Sequence, residues 1–250
     1  MRIDYPGQEK LPQLRRLWQE AFGDEDAFLD LFFSIAFSPD RCLCAQEEGQ
    51  VAAALYWMDC RLEEKPVAYL YAVATAKAFR GRGICRALME RARQQLAQLG
   101  YAGILLVPGS DGLRQMYGRM GYENATYLAE FSEKSGEDRL ALRSVTGEEY
   151  ARLRRERLPQ SSVLQESCPA FLKGCYSLYA GEDCLLAAIK TDDGLICPEY
   201  LGDPADLPAI LSTLGAPFGR FRTPGKTTPF AMWLPLSEGI APQYFAFAFD

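Results

Sequence analysis

The sequence predicts a mixed α/β fold, an α+β sheet with helices packed on it, on three observations. An apolar strand, Val67–Thr75, runs through an Arg-Gly turn into an amphipathic helix from Gly83 to Leu99. Two helical segments and a strand hairpin precede it, and a buried strand and another helix follow. A polar run, Ser132–Arg139, then interrupts the chain, and beyond it the order of hairpin, third strand, helix and strands is repeated. That repetition predicts a second domain of related topology. The expected organisation is a first domain over residues 1–132, a linker over 133–139 and a second domain over 140–250.

Each element has a local reason. From Leu11 to Phe22, Leu14, Leu17, Trp18 and Phe22 recur at helical spacing, and Gly23 stops the pattern. A second helical segment, Glu25–Phe37, carries Phe28, Leu29, Phe32, Phe33 and Ile35. These aromatics read either as helix core or as the wall of an acceptor site. R-C-L-C-A-Q, the turn E-E-G-Q and the apolar run Val51–Asp59 form a hairpin. In Val67–Thr75 strict alternation would put Tyr69, Tyr71, Val73 and Thr75 on one face. Leu88, Ala92, Leu96 and Leu99 then face inward from the next helix, which Gly100 ends. Y-A-G-I-L-L-V is a buried strand, and Ser110 or Asp111 caps the helix after it.

Composition bounds the chemistry. With 48% hydrophobic and 24% charged residues, the chain has the make-up of an ordinary globular protein. Its longest apolar runs are too short to span a bilayer, and M-R-I-D-Y-P-G-Q-E-K has no secretion-signal pattern, so a cytoplasmic protein is expected. The net charge of −6 argues against broad nucleic-acid binding. Eight cysteines, none in a C-x-x-C pair, read as reduced and mostly buried, with no metal expected. The chain has no histidine, which removes Ser-His-Asp and Cys-His catalysis and every His-based metal site. Proton transfers must fall to carboxylates, tyrosine or water.

Around the turn, Arg80, Arg82 and Arg86 surround Gly81 and Gly83, an arrangement suited to an anion. The segment Arg80–Cys85 resembles R/Q-x-x-G-x-G/A, the pyrophosphate-binding motif of the GNAT superfamily of acyl-CoA N-acyltransferases. Arg80 and Gly83 take the first two fixed positions, and Cys85 stands where the family has Gly or Ala. Downstream, Tyr117–Tyr122 resembles the family's Y-x-x-x-G-[FY] signature at the expected distance. With Ala125, Thr126 and Tyr127 it is similar to a segment of the Eis (enhanced intracellular survival) acetyltransferases, a resemblance covering about the first 130 residues.

The resemblance implies a GNAT fold, acetyl-CoA as co-substrate, and an amine-bearing small molecule or peptide as acceptor. It implies that Val73 and Thr75 pair with the pantetheine arm and that the N–H groups from Gly81 through Arg82, Gly83, Ile84 and Cys85 to Arg86 hold the diphosphate. Ser110 is grouped with this cofactor-binding set. Tyr117 takes the role of proton donor to the departing thiolate. The general base stays open among Asp59, Glu123, water and the chain's last residue, Asp250. In Eis-like enzymes the terminal carboxylate plays that part, and alternation in Tyr244–Phe249 predicts a strand that would fix it. A non-catalytic acyl-CoA-binding or interaction protein is the competing reading.

The second half shows L-G-D-P-A-D where the Arg-Gly turn would be, which implies a degenerate GNAT-like domain unable to bind a CoA pyrophosphate. Its segment Tyr150–Leu158, with Arg152, Arg154, Arg155 and Arg157, reads as a solvated helix face.

Overall fold

In the computed structural model, which describes residues 1–249, helix α1 (Leu11–Phe22) buries Leu14, Leu17 and Trp18 and ends at Gly23 in the left-handed conformation (φ 75°). The segment after it is not one regular helix. Helix α2 (Asp26–Leu31) passes into a π-helical turn, Phe32–Ala36, closed by the Phe37 N–H on the Phe32 carbonyl at 2.8 Å. The wider turn shifts the side-chain phase, so Phe32, Phe33 and Phe37 all converge on Tyr56.

Strands β1 (Arg2–Asp4), β2 (Cys42–Glu47), β3 (Gln50–Leu62), β4 (Lys65–Thr75) and β5 (Gly103–Leu106) lie in that spatial order. The β2–β3 loop holds Glu48 (φ 50°) and Gly49 (φ 78°), the pair of left-handed residues that matches a two-residue hairpin to strand twist. All neighbours are antiparallel except β4 and β5, whose parallel pairing requires the crossover helix α3 (Ile84–Gln98). Helix α4 (Asp111–Gly118) follows β5. On the α3 face Ile84, Leu88, Ala92 and Leu96 pack on Leu43, Leu55 and Leu70. Leu99, predicted to face inward, is 48% exposed. The chain reverses at Gly100, the Tyr101 N–H bonds the Leu96 carbonyl, and the Tyr101 ring covers that end of the core.

Residues 1–123 and 232–241 form one compact unit, and the rest of the chain the other. The strand Met232–Pro235, expected in the second domain, instead pairs antiparallel with β5 and extends the first sheet. The polar run Ser132–Arg139 lies within the second unit, its first residues extending the strand Tyr127–Lys134.

The second sheet runs Thr228–Pro229, Tyr127–Lys134, Phe218–Pro224, Gly194–Leu201, Leu185–Thr191, Ser177–Ala180, Arg143–Ser144. Its one parallel pair, Gly194–Leu201 with Phe218–Pro224, is joined by the helix Leu207–Leu214. Three antiparallel strands leading through a crossover helix to a parallel fourth is the topology of β2 to β5, so the repeated order in the sequence is a repeated topology. Tyr244–Phe249, predicted as a strand, is not assigned to one among the described residues; an isolated bridge joins Tyr244 to Ser162. It is nevertheless buried throughout, and the Gln165 side chain satisfies the Phe247 peptide: Nε2 donates to the Phe247 carbonyl at 2.6 Å and Oε1 accepts from the Phe247 N–H. Among the described residues no cysteine forms a disulfide, and Cys42, Cys44, Cys60, Cys184 and Cys197 are buried. Among the described residues no helix is long and apolar enough to cross a membrane.

Candidate active site

The site begins with a break in β4. Tyr71 pairs with Tyr56 and Ala74 with Ala54, so three steps on β4 face two on β3, and Ala72 takes a left-handed φ of 48°. This β-bulge reverses the alternation predicted for the strand. Tyr71 packs against Trp18 and Phe32 on the α1 face, whereas Val73 packs with the α3 core. Register with β5 ends at Leu70–Leu106, where β5 itself ends, so β4 runs on through Tyr71–Thr75 beyond its pairing with β5.

The strand delivers the chain to the Arg-Gly turn. Arg80 is extended and its Nε donates back to the Thr75 carbonyl at 3.0 Å. Gly81 (φ 77°) and Gly83 (φ 76°) follow, and Gly83 caps α3 with no side chain on the first-turn N–H groups. A Cβ at either glycine would meet no heavy atom within 4 Å. The glycines therefore answer a backbone requirement and leave open space over uncapped amides, the arrangement an oxyanion needs. Arg82 stacks over Phe79 at 5.2 Å and lies 3.7 Å from Glu47. Ile84 is buried and anchors the start of α3, Cys85 is half-buried behind it, and Arg86 is exposed.

Across from α3, the Ser110 Oγ accepts the Leu113 N–H at 3.3 Å and so caps α4. Its hydroxyl oxygen is thus engaged with the helix end. Tyr117 is buried, with its ring edge-on to Tyr122 at 6.0 Å. Burial pushes the Tyr117 hydroxyl well above the usual phenol range, and the neighbouring Cys85 thiol adds to the shift. The fold thus brings the second residue of α3 beside the tyrosine of α4.

The candidate bases are dispersed. Asp59 pairs with Ala68, three residues before Tyr71, which is roughly 10 Å along the strand from the bulge. It accepts from Arg41 Nε at 2.9 and 3.0 Å and from the Tyr101 hydroxyl, whose pKa is pushed up to about 12 by burial and by that bond. Glu123 is exposed. Asp250 lies outside the described residues. Of the aromatics, Trp18 and Phe32 are core, while Phe33 and Phe37 are half-buried.

The second unit repeats the geometry without the turn. Pairing shifts between Ala187 and Ile189 where Gly194–Leu201 bulges, and its parallel register ends at Cys197. Before the helix, however, the Asp203 carboxylate accepts the Ala205 N–H at 2.9 Å, and Pro204 and Pro208 remove N–H groups. An acid occupies the place where the first unit leaves bare amides. Arg154, expected on a solvated face of helix Gly147–Arg157, is 3% exposed and bonded to Glu199.

The family model described as an acetyltransferase (GNAT) domain matches residues 2–125. Among solved structures, the chain is similar to a GCN5-related N-acetyltransferase from Kribbella flavida at 18% identity and TM-score 0.72, over 94% of this chain and 72% of that one. It is similar to a GCN5-related N-acetyltransferase from Anabaena variabilis at 16% identity and TM-score 0.70, over 94% and 73% of the two chains. Eis1 from Mycobacterium abscessus matches at 12% identity and TM-score 0.69, over 94% and 74%. At such identities the likeness is one of fold. No curated protein matches by sequence.

Proposed function

Through residues 2–125 the chain belongs to the GNAT acetyltransferase domain family, and from that premise we propose that it transfers acetyl from acetyl-CoA to a primary amine of a small molecule or peptide. One observation carries the reading: β4, running past the end of β5, leads into uncapped amides at Gly81–Arg86, with a buried tyrosine on the neighbouring helix. The backbone of Val73 and Thr75 lies beyond the pairing with β5 and can pair with an extended amide-bearing arm as a further strand would. The amides from Gly81 to Arg86 hold the diphosphate, with Arg80 and Arg82 beside them. Positioning then supplies much of the rate enhancement. The neutral amine attacks the thioester carbonyl, the C–N bond forms as the C–S bond breaks, and Tyr117 gives its proton to the leaving thiolate. A phenol is protonated near neutral pH, the state a donor requires, and burial shifts Tyr117 further in that direction. The second unit, which repeats the bulge without the turn, is read as a degenerate GNAT-like domain.

Thiol release from acetyl-CoA over a panel of amines, run beside a heat-shift titration, tests the proposal. Stabilisation without release for any amine would favour the binding-module reading. Gly83→Ala is expected to lose most of the acetyl-CoA heat shift, which in the parent amounts to roughly 2.7 kcal/mol at 100 Kd. Gly23→Ala is the control, since Gly23 has the same φ and equally open surroundings. Both variants carry a left-handed alanine, costing roughly 1–2 kcal/mol, so a matching loss of ligand response in the two would remove the turn from the binding site.

For the base, we propose the chain-end carboxylate of Asp250. Arg41 and Tyr101 already engage Asp59, away from the bulge. Appending two glycines moves the α-carboxylate, and activity should fall with acetyl-CoA binding retained. Full activity would leave Glu123 or water.

A further inference from the structure

A second cationic feature lies on the first unit, and the proposed transfer chemistry does not use it. Arg86, Glu90 and Arg93 share one face of α3 at the i, i+4, i+7 spacing, and Arg119 faces them from the end of α4. Together they line a cavity of about 340 Å³ whose floor is methionine and leucine side chains. Three guanidiniums meet one carboxylate there, and that carboxylate is already engaged, with Arg93 at 3.7 Å and with the Gln94 amide at 3.0 Å. Among the described residues neither Arg86 nor Arg119 has an ion-pair partner.

The same cavity is lined by Tyr122, which is 3% exposed and whose hydroxyl has no hydrogen-bond partner among the described residues. A buried hydroxyl without a partner is uncommon in folded proteins and asks for a bound group. Guanidiniums with a phenolic donor suit an oxyanion of high charge, since Arg presents paired N–H groups matched to phosphate oxygens. We propose that this cavity binds a phosphomonoester dianion.

Two sources supply that chemistry. One is a separate phosphorylated metabolite. The other, which rests on the acetyl-CoA reading above, is the 3′-phosphate of CoA. Arg86 stands in the first turn of α3, beside the amides assigned to the diphosphate, and Arg93 is seven residues on, roughly 10 Å along the axis. A nucleotide anchored at the helix start can therefore reach the cavity with a second phosphate.

Calorimetry with CoA and 3′-dephospho-CoA, on the parent, Arg119→Ala and Tyr122→Phe, separates these sources. If the cavity takes the 3′-phosphate, the parent prefers CoA by about tenfold or more, a difference of about 1.4 kcal/mol. Arg119→Ala then brings that ratio close to one. Tyr122→Phe lowers it by several fold without a loss of thermal stability. If the parent binds the two nucleotides alike, inorganic phosphate is titrated into protein saturated with dephospho-CoA and followed by NMR. Saturable shifts that disappear in Arg119→Ala assign the cavity to a separate phosphorylated molecule. Equal nucleotide binding with no phosphate response overturns the proposal, as does a CoA preference that survives both substitutions. Should neither nucleotide bind the parent, the acetyl-CoA reading fails, and the phosphate titration on the protein alone still decides the cavity.

Discussion

Tyr117→Phe is expected to fold as the parent does, to keep its acetyl-CoA heat shift, and to transfer acetyl about 10²–10⁴-fold more slowly, the range for loss of a positioned proton donor. The substitution removes one oxygen from a side chain that is otherwise core, packed with Ile84, Leu88 and Tyr122. Packing is kept, so stability should change little. The loss should appear in kcat with KM nearly unchanged, because the proton moves only as the thiolate departs. An unchanged kcat would leave Tyr117 as packing and return the leaving group's proton to water. Burial holds the phenol well above the usual range, so no titration of Tyr117 should appear in the pH–rate profile near neutrality. Any limb there belongs to the base or to the amine.

The second large effect falls on stability. Glu199 is fully buried in the second unit, accepting from Arg154 Nε at 2.8 Å and from the hydroxyls of Tyr150 and Tyr244, each at 2.9 Å. Arg154 also donates to the Val163 carbonyl and lies over the rings of Tyr244 and Phe247. Glu199→Leu would strand a guanidinium in the core, and breaking such a pair costs about 3–5 kcal/mol. Chemical denaturation should show that loss. Replacing both charges, with Arg154→Met and Glu199→Leu together, should recover the part due to the stranded charge, while the Tyr150 and Tyr244 hydroxyls still lose their acceptor. If the single and double variants were equally unstable, the pair would matter through the tyrosine hydroxyls and not through charge. Tyr244 is a member of this network, and Gln165 fixes Phe247 three residues on. A destabilised network should therefore lower activity along with stability if the terminal carboxylate is the base.

By itself the sequence determined what depends on neighbours along the chain. The limits of α1, the β2–β3 hairpin, the glycines of the Arg-Gly turn, a cap at Ser110 or Asp111 and the repeated order of strands and helices all follow from periodicity, capping and turn chemistry. Tertiary structure decided the rest. The bulge at Ala72, which reverses the facing of the residues after it, arises where β4 must fit β3, and no residue type marks it, because alanine is unremarkable within an apolar strand. Arg154 looks solvated in an Arg-rich helix and becomes core only because Glu199, on a distant strand, reaches it. Met232–Pro235 reads as one more strand of the second half, yet it pairs with β5, since nothing in a strand's own sequence names its partner. Arg86, Arg93 and Arg119 form a cationic cavity only once α3 and α4 lie on the same sheet. Local patterns specify elements, whereas bulges, buried pairs and cavities come from contacts between residues far apart in the chain, and those the folded molecule alone brings together.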